Sequence, residues 1–328
     1  MYTLGKTFSI VVLSAFLSLA SAQSDWPSSL TIGTASVGGT YFIYGGGWAN
    51  LIQEQLGVPT SVEVTGGPAQ NMLLIQNGDI ELGMITMGPA FEGWSGDGPW
   101  TGGRQLQDSR ALFPMYNTPF HVIALQSTGI ETISQLEGRS VGVGPAGGTT
   151  ATFAPRFLET LGVNANIRQA GASDLASQLL DGQIDAFVFA AGLPIAAFSE
   201  IEAQRNANIF SFNEEERAVL LESFVFLNED MIPADIYQSL DEDFSTVGMY
   251  NFAIGHRDLP EDFVYEMVKA VFENQQFLID THASAVDTVP ENLNRNGFLW
   301  LHPGAVRFYQ EIGMDVPAAL IPPEFAGN

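Results

Sequence analysis

Two short stretches carry the residues best suited to chemistry. Gly38-Gly39-Thr40-Tyr41 and Gly147-Gly148-Thr149-Thr150 each set a glycine pair before hydroxyl side chains, at the end of a β-type run and the start of a helical pattern. Glycine lets the backbone come close to a ligand. The helix start behind it exposes N–H groups with no intrahelical partner, at the positive end of the helix dipole. Together these features capture anions. A single such turn is an ordinary strand-to-helix connection, whereas two in matched positions point to a shared anion site.

No covalent or acid–base constellation competes with this reading. His121, His256, His282 and His302 are scattered, with no H-E-x-x-H and no pair one helical turn apart. His302, in Leu301-His302-Pro303-Gly304, reads as a turn residue capping its own backbone. There is no G-x-S-x-G elbow, and neither glycine turn carries the lysine of a phosphate loop. Gly45-Gly46-Gly47 falls inside a helical pattern, so it is no dinucleotide fingerprint. Glu214-Glu215-Glu216 and Asp241-Glu242-Asp243 read as solvated faces, and Asp97 as a turn residue. The expectation is a binding protein rather than an enzyme, with no cofactor and no metal.

The elements that position the two turns form an internal echo. Thr31 to Thr40 leads into a helical spacing (Tyr44, Trp48, Leu51, Ile52, Leu56), then a β-rich stretch, Ser61 to Thr65, then a helix closed by Gly78 before an apolar strand. Ser140 to Thr149 leads into Phe153, Phe157, Leu158 and Leu161, then Ala165 to Gln169, then a helix closed by Gly182. Two β-α-β-α-β units of this kind predict two parallel-sheet lobes, with the ligand crevice outside the carboxyl ends of the strands. Phe120 to Leu125 and Thr246 to Ile254 read as strands crossing between lobes. The expected division is 23–119 plus 247–328 for one lobe and 120–246 for the other.

Composition narrows the class. The chain has 328 residues, 46% of them hydrophobic, with 23 Phe, 8 Tyr and 5 Trp, enough to build real cores. It has no cysteine, which removes disulfides, thiolate chemistry and Cys-ligated metal sites. Twelve Lys and Arg face 37 Asp and Glu, for a net charge of −25, the wrong balance for nucleic acid. An acid excess of this size suits a protein kept soluble at high salt. Residues 1–22 read as a secretory signal peptide: Lys6 supplies the positive start, an apolar run follows, and Ala20-Ser21-Ala22 gives the cleavage site. The apolar run is too short to span a bilayer. The mature chain is therefore expected in the periplasm, without membrane insertion.

Taken together, several motifs resemble one family. Gly33-Thr34, Gly38-Gly39-Thr40-Tyr41 with Gly45, and Thr65-Gly66-Gly67 with Asn71 are similar to the TAXI family of TRAP-associated extracytoplasmic solute receptors. So are Leu136-Glu137-Gly138-Arg139-Ser140-Val141, Gly144 to Thr149, Asp181 to Phe187, Leu259-Pro260-Glu261-Asp262 and His302-Pro303-Gly304-Ala305. The resemblance implies an α/β type II periplasmic-binding-protein fold closing on a small anionic solute. It also implies delivery to a TRAP-type permease driven by an ion gradient. Its ligand-facing positions fall on Gly39, Thr40, Tyr41, Gly67, Asn71, Gly148, Thr149 and Thr150, with Thr86 counted among the candidates. Two departures stand out: Pro68 replaces a serine, and Thr86-Met87-Gly88 replaces a polar pair. These predict a more apolar wall, and a keto acid or less polar carboxylate rather than glutamate. An ABC importer's binding protein, a sensor's ligand-binding protein and, further off, a secreted enzyme are the alternatives.

Overall fold

The computed structural model describes residues 26–325, so the leader expected at residues 1–22 lies outside the described residues. The chain opens with β1 (Leu30–Gly33), α1 (Thr40–Leu56), β2 (Thr60–Glu63), α2 (Pro68–Asn77) and β3 (Leu82–Thr86). Helix α3 (Met87–Ser95) leads to the long strand β4 (Ser109–Leu125). A second unit repeats the first: β5 (Ser140–Gly142), α4 (Thr149–Thr160), β6 (Asn166–Arg168), α5 (Ala172–Leu180) and β7 (Ala186–Ala190). Then come α6 (Ala196–Gln204), β8 (Ala207–Phe210), α7 (Glu214–Ser223), β9 (Asn228–Ile232) and the long β10 (Phe244–His256). Three further α-helices, α8 (Glu261–Glu273), α9 (Gln275–Thr281) and α10 (Pro303–Glu311), finish the chain.

The echo is visible in the pairing. β1 lies parallel between β2 and β3, and β5 lies parallel between β6 and β7. Each trio is flanked by an antiparallel long strand, β10 beside β3 and β4 beside β7. This is the two-lobed type II periplasmic-binding-protein arrangement. The matched turns also share a backbone state: Gly38 and Gly147 both have φ +88°, a left-handed conformation that side chains resist. Gly78 and Gly182 sit at φ +73° and +71° where α2 and α5 end.

Both crossing strands are longer than the apolar runs forecast, because each changes partners along its length. β4 pairs with β10 from Ser109 to Pro119, then with β7 and β8 from Phe120 onward. β10 likewise pairs with β9 over Phe244–Gly248 and with β3 over Asn251–Gly255.

Alternation along the strands builds the second lobe's core in two layers. Phe120, Val122 and Ala124 of β4, with Val188 of β7, face Phe153 and Phe157 of α4 and Leu220 of α7. Ile123 and Phe187 point the other way, toward Leu175 and Leu179 of α5 and Phe198 of α6. In the first lobe all five residues of β3 are buried, and Tyr44, Trp48, Leu51 and Ile52 of α1 join one continuous cluster. The acidic run Glu214–Glu216 occupies the first turn of α7, where Asn213 and Glu216 form a capping box. His302 caps α10 by accepting the Gly304 N–H at 3.2 Å, as its sequence context forecast.

Candidate functional site

The two glycine turns meet. Helix α1 starts at Thr40 and α4 at Thr149, and neither start receives a side-chain cap, so the first-turn N–H groups keep no intrahelical partner. Between them lies a cavity with about 40 Å³ of space for the centres of water molecules. That holds more than one water, because a single one needs roughly 10–15 Å³ on this measure. Gly39, Thr40, Tyr41, Thr86, Gly148, Thr149 and Thr150 all line it.

The lobes are closed over this space by direct bonds. Thr40 Oγ1 donates to the Gly192 carbonyl at 2.6 Å, and the Thr86 and Thr149 hydroxyls are 2.6 Å apart. Backbone bonds add Ala69 N–H to Gly147 O at 3.0 Å, Ser173 N–H to Val37 O at 3.2 Å, and Ala197 N–H to Gly38 O at 3.2 Å. A Cβ on Gly66 would sit 2.2 Å from the Ala146 carbonyl oxygen, so only glycine permits this approach. Farther out, Arg156 of α4 pairs with Glu92 of α3, which also accepts from Trp100 Nε1 at 3.0 Å.

Two of the expected site residues do something else. Asn71 is fully buried; its amide donates to Thr34 O at 2.9 Å and Met84 O at 3.0 Å, and its oxygen accepts from Thr65 Oγ1 at 2.7 Å. It ties α2 to β1 and β3 and does not reach the cavity. Gly67 spends its N–H on Thr65 Oγ1 at 3.0 Å and also stays outside the lining; its φ of +111° shapes the turn. The apolar wall is half as expected. Pro68 lines the cavity, whereas Met87 lies with Phe91 and Phe226 at a surface groove.

The sequence reading missed the floor. Thr118 of β4 and Asn251 of β10 enter the cavity from the long strands, and Phe189 of β7 adds a ring. Asn251 Oδ1 accepts from Tyr41 O–H at 2.6 Å, and its amide donates to Tyr116 O at 2.6 Å and to Thr118 Oγ1. The available signal was one asparagine inside the apolar run Val247 to Ile254. Among the described residues, no Asp, Glu, Lys, Arg or His lines the cavity. Burial holds the Tyr41 hydroxyl well above its ordinary pKa, so it stays neutral. Positive charge comes only from the backbone.

Fold and site together define a two-lobed architecture with a cavity between matched helix starts. The chain matches the family model described as the NMT1-like family over residues 32–313, and it belongs to that family. Among solved structures it is similar to the periplasmic binding protein BugD, at 14% identity and TM-score 0.57, over 88% of this chain and 99% of that one. MatC from Rhodopseudomonas palustris, solved with bound malate, matches at 14% and 0.57, over 87% of this chain and 96% of that one. The substrate-binding protein of an ABC uptake transporter from Streptococcus pneumoniae, with bound histidine, matches at 14% and 0.51, over 80% and 95%.

Proposed function

We propose that the protein is a periplasmic solute receptor that closes on a small carboxylate and delivers it to a TRAP-type membrane permease, as the TAXI resemblance implies. The observation that carries this reading is the convergence of two uncapped helix starts on one cavity whose lining, among the described residues, has no fixed charge. Backbone N–H groups there suit a carboxylate, each charge-assisted bond contributing about 1.5–3 kcal/mol. Three or four of them, less the ordering cost, suffice for micromolar affinity, about −8 kcal/mol. The ligand contacts are assigned to Gly39, Thr40, Tyr41 and Thr86 on one side and Gly148, Thr149 and Thr150 on the other. The lobes divide at 119/120 and 246/247, and opening bends β4 and β10 there. A leader at residues 1–22 exports the chain. Among the described residues no helix is long and apolar enough to cross a membrane.

The bound malate of MatC favours a carboxylate. The ABC uptake protein supports a second reading, delivery to an ATP-driven importer. The two part on energetics, since solute uptake that survives ATP depletion and stops when the ion gradient collapses fits only the TRAP assignment. The cleft itself is tested by thermal shift with a panel of small carboxylates. The best ligand should raise the melting temperature of the parent and lose most of that effect with Thr149→Val. Equal stabilisation of parent and variant overturns the assignment.

A further inference from the structure

From the count of uncommitted hydrogens in the cavity we infer that the receptor selects a 2-oxo carboxylate over the matching 2-amino acid, an inference that rests on the carboxylate reading above. Each lining hydroxyl carries one hydrogen, and most of its other commitments are visible. Ser36 Oγ accepts from Ala172 N–H at 3.1 Å, Thr150 Oγ1 accepts from Ala190 N–H at 3.0 Å, and Thr118 Oγ1 accepts from the Asn251 amide. None of these three has an acceptor for its own hydrogen among the described residues. The Thr86–Thr149 contact consumes one hydrogen of the two. With the first-turn N–H groups of α1 and α4, the lining holds a set of unspent donors.

No acceptor carries a charge: Thr40 and Tyr41 have given their hydrogens to Gly192 O and Asn251 Oδ1, so toward the cavity their hydroxyls can only accept, and among the described residues every acceptor of the lining is neutral. A carboxylate with a neighbouring carbonyl presents acceptors only and matches this set. An α-ammonium brings three more donors and a positive charge, facing two positive helix ends with no carboxylate in the lining. Burying a cation there without a partner is strongly unfavourable. A 2-hydroxy acid falls between, since its O–H can be taken by the Tyr41 oxygen. Thr118 is assigned the specificity role, because it sits on β4 at the cavity floor, 2% exposed, with its own hydrogen unspent among the described residues.

The test is calorimetric titration of the purified protein with matched sets: pyruvate, lactate and L-alanine, then 2-oxoglutarate, 2-hydroxyglutarate and L-glutamate. The expected result is a preference of about tenfold or more for the oxo acid over the amino acid, the hydroxy acid lying between. Thr118→Val should erase most of this preference and Thr118→Ser should keep it. An amino acid that binds as tightly as its oxo partner overturns the inference and leaves the carboxylate receptor standing. A preference undiminished in Thr118→Val overturns the role given to Thr118. Absence of binding by all six compounds removes the carboxylate reading, and the inference with it.

Discussion

The two halves of the cleft share a backbone and differ in what they do with it. The first-lobe turn, Gly38 to Tyr41, and the second-lobe turn, Gly147 to Thr150, have the same φ at the leading glycine and the same uncapped helix start. Yet the first turn commits its hydroxyl hydrogens within the protein, Thr40 to the opposite lobe and Tyr41 to the long strand β10. The second keeps more free, Thr150 accepting a bond and giving none. The first turn spends its side-chain hydrogens on fastening the closed form, while the second keeps the Thr150 hydrogen unspent at the cavity. A duplicated scaffold therefore does not imply duplicated chemistry, because the side chain's partner, not its place in the repeat, sets its role.

The comparison breaks most readily at the line where the lobes meet. Gly66→Val puts a branched side chain against the Ala146 carbonyl, which is backbone and cannot give way. Affinity measured by titration should fall by about a hundredfold or more, with the melting temperature of the ligand-free protein nearly unchanged. Next in size is Asn71→Ala, which orphans the Thr34 and Met84 carbonyls that the amide satisfies. Denaturant melts should show a loss of about 2–3 kcal/mol with ligand ranking preserved. A change in ranking without a loss of stability would return Asn71 to the ligand.

Finer contrasts follow. Thr150→Val should weaken binding about tenfold, chiefly for ligands rich in acceptors. Thr40→Val should act a few-fold, through faster dissociation, because its bond joins the lobes. If both variants show the same kinetic signature, the division of labour between the turns is wrong. The smallest contrast concerns acid. Burial presses His121 on β4 down to about 3 and His302 at the start of α10 down to about 4, from an ordinary 6.5. Both stay neutral when folded but take a proton when unfolded. Stability is therefore flat above about pH 7 and declines as pH falls from 6.5 toward 4, by up to about 1.4 kcal/mol per pH unit for each proton. Thermal melts across that range check it, and His121→Gln should flatten part of the slope.

The glycine turns, the helices behind them and their closing glycines were legible because each rests on local rules: positive φ, helix spacing and capping. The strand trios 2-1-3 and 6-5-7 follow from those units being repeated. Asn71 misled because a polar residue beside glycines at a helix start reads as ligand-facing. Its carbonyl partners are Thr34, just past β1, and Met84 of β3, at 37 and 13 positions away, and local spacing says nothing of them. Asn251 escaped for the same reason, its partners Tyr41 and Tyr116 lying far along the chain, and Thr118 because it sits on the part of β4 that only the pairing with β10 reveals.

What the sequence determined by itself is the repeated frame and the two exposed helix starts, since these are set by neighbours within a few residues along the chain. Which hydroxyl keeps its hydrogen at the cavity and which fastens the lobes was decided only by the tertiary structure. A hydroxyl has one hydrogen to give, and its acceptor here lies 152 positions away for Thr40 and 210 for Tyr41.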